Sequence, residues 1–76
     1  MEGVSGALER SLAKALSAGD GAEAARIYMI AAGSADEAGK RDQAAFLLTH
    51  AWVHALEAGS DLADECRTRL AQADRV

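Results

Sequence analysis

The sequence contains no proline, a single cysteine, only one each of tryptophan, tyrosine and phenylalanine, and no long apolar run. Without proline, the seven glycines are the only strong helix breakers. No segment approaches the roughly 20 apolar residues that cross a bilayer, so we expect no membrane span. Cys66 has no second cysteine to pair with, and the start Met1–Val4 lacks the features of a signal peptide. These absences favour a cytoplasmic location.

Basic residues are also few. There are 8 Lys and Arg against 12 Asp and Glu, which gives a formal net charge of −4, and Lys40-Arg41 is the only adjacent basic pair. Binding to a nucleic-acid backbone or an anionic membrane requires clustered positive charge. We therefore expect neither as a partner.

A short phrase occurs twice, 40 residues apart. Ala15–Gly19 reads ALSAG and Ala55–Gly59 reads ALEAG. Each copy closes an apolar run, and an acidic or hydroxyl residue follows before the next alanine-rich run. A helix that ends on glycine before another begins has this pattern, so the chain is predicted to contain two copies of a helix pair.

Apolar spacing predicts four helices in a single domain over residues 1–76, at about 4–18, 20–38, 42–58 and 60–74. Asp20 is the predicted N-cap of helix two, with Glu23 at the capping-box position, and Ser60 is the predicted cap of helix four. Gly39 is the predicted end of helix two, and an end at Ala32, before Gly33, is the alternative.

The core of so short a chain depends on a few large side chains, because alanine buries little area. Helix three is apolar around most of its circumference, so we expect it to be central, with neighbours on two sides. Cys66 is expected to be a small buried hydrophobe. The residues expected to carry the packing are Leu8, Leu12, Leu16, Ile27, Tyr28, Leu48, Trp52, Leu56, Leu62 and Leu70.

The middle of the chain carries a recognisable order of residues. Tyr28 is followed by the pair Ala31-Ala32 and then by Gly39, and helix three continues with the small–large–small set Ala44, Leu48 and Ala51. This order resembles a tetratricopeptide repeat. The resemblance implies an all-α fold of four antiparallel helices in two stacked hairpins, a surface that binds protein or peptide, and no cofactor. A closed four-helix bundle is the alternative fold.

His50, His54 and Glu57 form the narrow polar strip of helix three. Two imidazoles and a carboxylate at this spacing suit a zinc site, and two imidazoles that titrate near neutrality suit a pH sensor. No Glu directly follows the first His, as a zinc-protease helix requires, and no nucleophile elbow or phosphate loop is present. We predict that the protein is not an enzyme. A metal-binding or pH-sensing module remains an alternative to a merely solvated strip.

Some apolar residues are left over by the predicted core. Met29 and Ile30 fall off the inner face of helix two, while Phe46 and Val53 border the polar strip. If helices one and four leave them uncovered, they form a binding patch. We therefore predict a non-enzymatic protein–protein interaction module, a small adaptor or accessory subunit that binds a protein partner or self-associates. The predicted contacts are Met29, Ile30, Phe46 and Val53, with a polar rim of Arg26, His50, His54 and Glu57.

The acidic balance of the chain allows a third function. A small acidic inhibitor or immunity-type protein mimics a negatively charged ligand. Its binding to a basic partner weakens steeply with salt.

Overall fold

The computed structural model describes residues 2–73, with side chains from Gly6 to Ala73, and this part of the chain contains four helices and no strand. The helices are α1 (Glu2–Ser17), α2 (Gly21–Glu37), α3 (Arg41–Ala58) and α4 (Leu62–Gln72). The predicted all-α fold is confirmed, and α2 continues through Gly33 rather than ending at Ala32. The side chain of Val4 and the predicted end of helix four at residue 74 lie outside this description. None of the described helices is long and apolar enough to cross a membrane.

The first three helices end in the same turn. Gly19, Gly39 and Gly59 all have positive φ, between 66° and 79°. In each turn the amide of the residue after the glycine donates to the carbonyl five residues earlier, at 2.9 Å. The accepting carbonyls are those of Ala15, Ala35 and Ala55 in the three turns respectively. This is the Schellman motif, which satisfies the last carbonyls of a helix and favours glycine because its backbone is left-handed.

The recurrence of this turn shows that the repeat is shorter than predicted. Between ALSAG and ALEAG lies a third copy, Ala35–Gly39, with the sequence ADEAG. The pattern A-x-x-A-G therefore recurs every 20 residues, once at the end of each of the first three helices. The first alanine of each copy is buried.

Two predicted helix caps are present, although one of them is only half formed. The amide of Glu23 donates to the Asp20 carboxylate at 3.1 Å, and the amide of Leu62 donates to the Ser60 hydroxyl at 3.1 Å. The return bond of a full capping box would use the Asp20 amide, but that amide already donates to Ala15 in the preceding turn. The Glu23 side chain pairs with Arg26 instead, where the Arg26 Nε lies 3.0 Å from Glu23 Oε1.

The described helices pack in chain order as an open layer. Helix α1 contacts only α2, α3 lies between α2 and α4, and α4 also touches α2. The Cα positions span 32 × 32 × 13 Å. Because α1 and α4 do not meet, the four helices do not close into a bundle. The start of α2 runs beside the end of α3, since a Cβ at Gly21 would lie 3.1 Å from the His54 carbonyl oxygen, so this pair is antiparallel.

Two hydrophobic clusters divide the core. The smaller one joins α1 to α2 and the larger one joins α2, α3 and α4. Helix α2 therefore has three neighbours, whereas the predicted central helix α3 has two. Cys66 and Leu70 of α4 are fully buried in the larger cluster, as predicted, and Trp52 packs against it while only partly buried.

Two leucines expected in the core are exposed. Leu16 lies near the end of α1 and lines a shallow cleft opposite His54 and Glu57 of α3, and Leu56 lies on the side of α3 that neither α2 nor α4 covers. The prediction was wrong for both because it followed from helical spacing alone, whereas α1 has only one neighbouring helix and α3 has two.

Candidate interaction surface

Helix α3 exposes a continuous row of large apolar side chains. Phe46 is 62% exposed, Leu56 58% and Val53 46%. Together with Thr49, which is also exposed, they occupy an arc of about 80° on the helix surface. We call these four residues the α3 face. They follow a 3-4-3 spacing, which is the a/d pattern of a helix that packs lengthwise against another helix.

The single polar member of the α3 face makes its hydrogen bond within the helix. The Thr49 hydroxyl donates to the Ala45 carbonyl at 2.9 Å. A second molecule that covered the α3 face would therefore leave no hydroxyl donor without an acceptor, and burial would incur little polar penalty.

A line of rings connects the α3 face to helix α2. The Phe46 ring meets the His50 imidazole edge-on, with centroids 4.6 Å apart. The Tyr28 ring stacks on His50 at 5.3 Å and on His54 at 5.5 Å. Both imidazoles are partly buried. The two histidines therefore bind α3 to α2 by ring contacts and hold Phe46 at the edge of that seam.

This arrangement does not support the metal-binding alternative. Between Gly6 and Ala73, no three His, Cys, Asp or Glu side chains are grouped so that they could hold one metal ion. Both imidazoles face the Tyr28 ring, while Glu57 is exposed. The sequence spacing put the three residues on one strip, but the packing of α2 against that strip turns the two histidines towards Tyr28.

Met29 does not belong to an exposed surface, and the expectation that it lies outside the core was wrong. It is 8% exposed and lies in the larger core cluster with residues of α3 and α4. Helix α4 touches α2 as well as α3, which widens the buried side of α2 beyond the stripe expected from periodicity.

Ile30 and Arg26 lie on another side of the molecule. Ile30 is 44% exposed, but it lies about 160° around α2 from Tyr28, which faces α3. Arg26 is one turn before Ile30 and is paired with Glu23, whose carboxyl pKa this guanidinium lowers. The predicted patch therefore divides into the α3 face and an outer side of α2.

A shallow groove of about 650 Å³ lies between α2, α3 and α4, and it is lined neither by the α3 face nor by Arg26 and Ile30. Its floor includes Ala44 and Leu48, and its walls carry charges of both signs, from Asp36, Arg41 and Arg69. Three helices from separate parts of the chain form this groove, so no local sequence signal indicated it.

Cys66 is unsuited to nucleophilic chemistry. Its side chain is fully buried, and this burial raises the pKa of the thiol. A reactive cysteine requires the opposite, an accessible thiolate with a lowered pKa.

Sequence reasoning missed Leu56 and Thr49 as members of the α3 face. The 3-4-3 spacing of Phe46, Thr49, Val53 and Leu56 was visible in the sequence. Leu56 was instead assigned to the core because leucine at a helical repeat position is usually buried.

Comparison with known proteins does not place this chain in a family. No protein-family model matches it, and no curated protein or solved structure is significantly similar to it.

Proposed function

We propose that this protein is a non-enzymatic interaction module, a small adaptor or accessory subunit, that binds a protein helix along the α3 face. The observation that supports this proposal is the row of three large apolar side chains that no part of the described chain covers. Isolated exposed apolar residues are common, but a row along three turns of one helix is typical of a binding surface.

The α3 face suits lengthwise packing against the apolar stripe of another helix. A partner helix would lay its own apolar stripe along the α3 face, from Phe46 at one end to Leu56 at the other. Phe46 would be the principal anchor, because aromatic side chains bury large areas and the His50 ring supports this one from the side. His54 and Glu57 would contribute to the polar rim.

The class of partner follows from charge. The formal net charge of −4 and the scattered basic residues favour protein over nucleic acid or anionic lipid. Within this proposal the protein acts in the cytoplasm. The tetratricopeptide-like interpretation stays a prediction, and the antiparallel α2 and α3 joined by a tight turn are compatible with it.

Photo-crosslinking can test the proposal. A photoreactive phenylalanine analogue at Val53 is expected to form covalent protein adducts in the producing cells, and the same analogue at Ile30 is the control. These positions have nearly equal exposure on different helices. Excess unlabelled protein should suppress the Val53 adducts, whereas excess Phe46→Ser protein should not. Equal adducts at both positions, or equal suppression by both competitors, would contradict the proposal.

A further inference from the structure

We propose that the helix that occupies the α3 face is α3 of a second copy of this chain, packed antiparallel about a two-fold axis that crosses the α3 face at the level of Ala51 along the helix. This inference rests on the proposed function, because it specifies the partner of the same surface. A two-fold interface uses one surface patch on both copies, so the patch has to be complementary to itself.

The α3 face meets that requirement. Antiparallel pairing about Ala51 places Phe46 opposite Leu56 of the second copy, and Thr49 opposite Val53. The first pair joins two large side chains and the second joins two β-branched side chains of nearly equal shape. Because the two-fold axis generates each pair twice, four layers of side chains fill the seam. No layer places two phenylalanines or two leucines opposite each other.

The distribution of charge also favours this pairing. From Gln43 to Leu56 the chain has no Asp, Glu, Lys or Arg, and acidic residues flank this stretch at Asp42 and Glu57. Antiparallel packing places Glu57 opposite Ala45 of the second copy and Asp42 opposite Ser60. Parallel packing would bring each acidic residue towards its own equivalent and would align the two helix dipoles.

The accessible surface leaves room for such an interface. The chain exposes 4992 Å² for a mass of 7.9 kDa. A folded monomer of this mass exposes about 4,400 Å² on average. The excess of roughly 600 Å² is a whole-chain value, and three of the five large hydrophobic residues exposed between Gly6 and Ala73 lie on the α3 face.

Sedimentation equilibrium of the purified full chain tests the association. We expect twice the monomer mass at micromolar concentrations and above, and the monomer mass for Val53→Glu. The control Ile30→Glu places the same charge on an equally exposed helix position and should leave the dimer intact. Far-UV circular dichroism checks that both variants remain helical, and Thr49→Lys gives a second disruption of the α3 face if Val53→Glu does not fold.

Disulfide formation tests the register. Thr49→Cys protein mixed with Val53→Cys protein should crosslink faster than either variant alone, because antiparallel pairing places these two positions opposite each other. The native Cys66 is buried and should not take part. Faster crosslinking within one variant would overturn the antiparallel register.

The outcomes separate this inference from the proposed function. A monomer at all concentrations, or a dimer that Val53→Glu leaves intact, overturns the pairing of α3 with itself. If Val53 adducts to other proteins persist under the first of these results, the α3 face still binds a partner, and only its identity as a second copy is lost.

Discussion

The Tyr28 ring of α2 stacks on the His54 imidazole of α3, with centroids 5.5 Å apart and 10° between the ring planes. One turn earlier on α3, His50 stacks on the same tyrosine. The contact lies close to the point where Gly21 approaches the His54 carbonyl. The imidazoles that suggested a metal site in the sequence therefore contribute to the seam between two helices.

Replacement of Tyr28 by leucine tests this stacking. Leucine keeps apolar bulk but removes the ring, so we expect Tyr28→Leu to lower the free energy of unfolding by about 1 kcal/mol. Tyr28→Phe keeps both ring contacts and should change it by less than about 0.5 kcal/mol. Urea unfolding followed by circular dichroism measures both values, and equal losses in the two variants would contradict a role for the ring.

Two glycines of α2 should respond in opposite directions to alanine. A Cβ at Gly33 would meet no side chain and no other helix within 4 Å, so Gly33→Ala should stabilise the protein by about 0.5–1 kcal/mol through helix propensity. A Cβ at Gly21 would lie 3.1 Å from the His54 carbonyl oxygen and 3.2 Å from the Ala58 Cβ. Gly21→Ala should therefore destabilise it by about 1–3 kcal/mol, because α3 has to shift. Thermal unfolding of the two variants measures the difference, and stabilisation by Gly21→Ala would contradict the close packing of α2 on α3.

The two faces of the helical layer can be compared by the same truncation. Leu70→Ala removes a fully buried side chain and should lower the free energy of unfolding by about 2–5 kcal/mol. Leu56→Ala removes an exposed one, and in dilute protein the loss should stay below about 1 kcal/mol. Chemical denaturation at low protein concentration measures both values. A large loss for Leu56→Ala in the monomer would show that this leucine belongs to the core.

The buried thiol should make stability depend on alkaline pH. Burial raises the pKa of Cys66 in the folded state above the value of about 8.5 that a free cysteine has. As pH rises, the unfolded chain therefore loses this proton before the folded chain does. The contribution of Cys66 to stability is complete below the unfolded-state pKa and declines as pH rises through the folded-state pKa. Urea unfolding across this range should show the decline, and Cys66→Ala should lack it.

The same burial protects Cys66 from thiol reagents. We expect an aromatic disulfide reagent to label native Cys66 at least about a hundredfold more slowly than it labels the unfolded chain. The reagent reaches the thiol only when the structure opens, and an opening that costs about 3 kcal/mol exposes it in about one molecule in a hundred. Absorbance of the released thiolate measures the rate. Rapid labelling of the native protein would contradict the burial.

Local features were predictable because they depend on neighbours in the chain. The glycines at 19, 39 and 59 end their helices by adopting a left-handed backbone, and Asp20 caps the helix that follows it. The half-formed capping box was harder to foresee. It depends on the Asp20 amide, which the preceding turn already uses.

The candidate site was only partly predictable because burial depends on which helices meet. Phe46 and Val53 were predicted contacts on the condition that helices one and four leave them uncovered, and both are exposed. Met29 has an equally apolar side chain and a similar place beside the predicted core stripe, yet it is buried in the cluster that α2 forms with α3 and α4. Periodicity gives the direction of a side chain from its own helix, but it does not give the position of a helix more than thirty residues later.

The sequence by itself determined where the chain turns and that it is helical between the turns, since these outcomes follow from backbone conformation and from hydrogen bonds within about five residues. The tertiary structure alone decided which apolar stripes are covered. The described helices α1 and α4 do not meet, so the layer stays open and the outer side of α3 has no neighbour within the chain. The hydrophobic effect acts on area that distant segments remove from water, and local sequence does not specify that area.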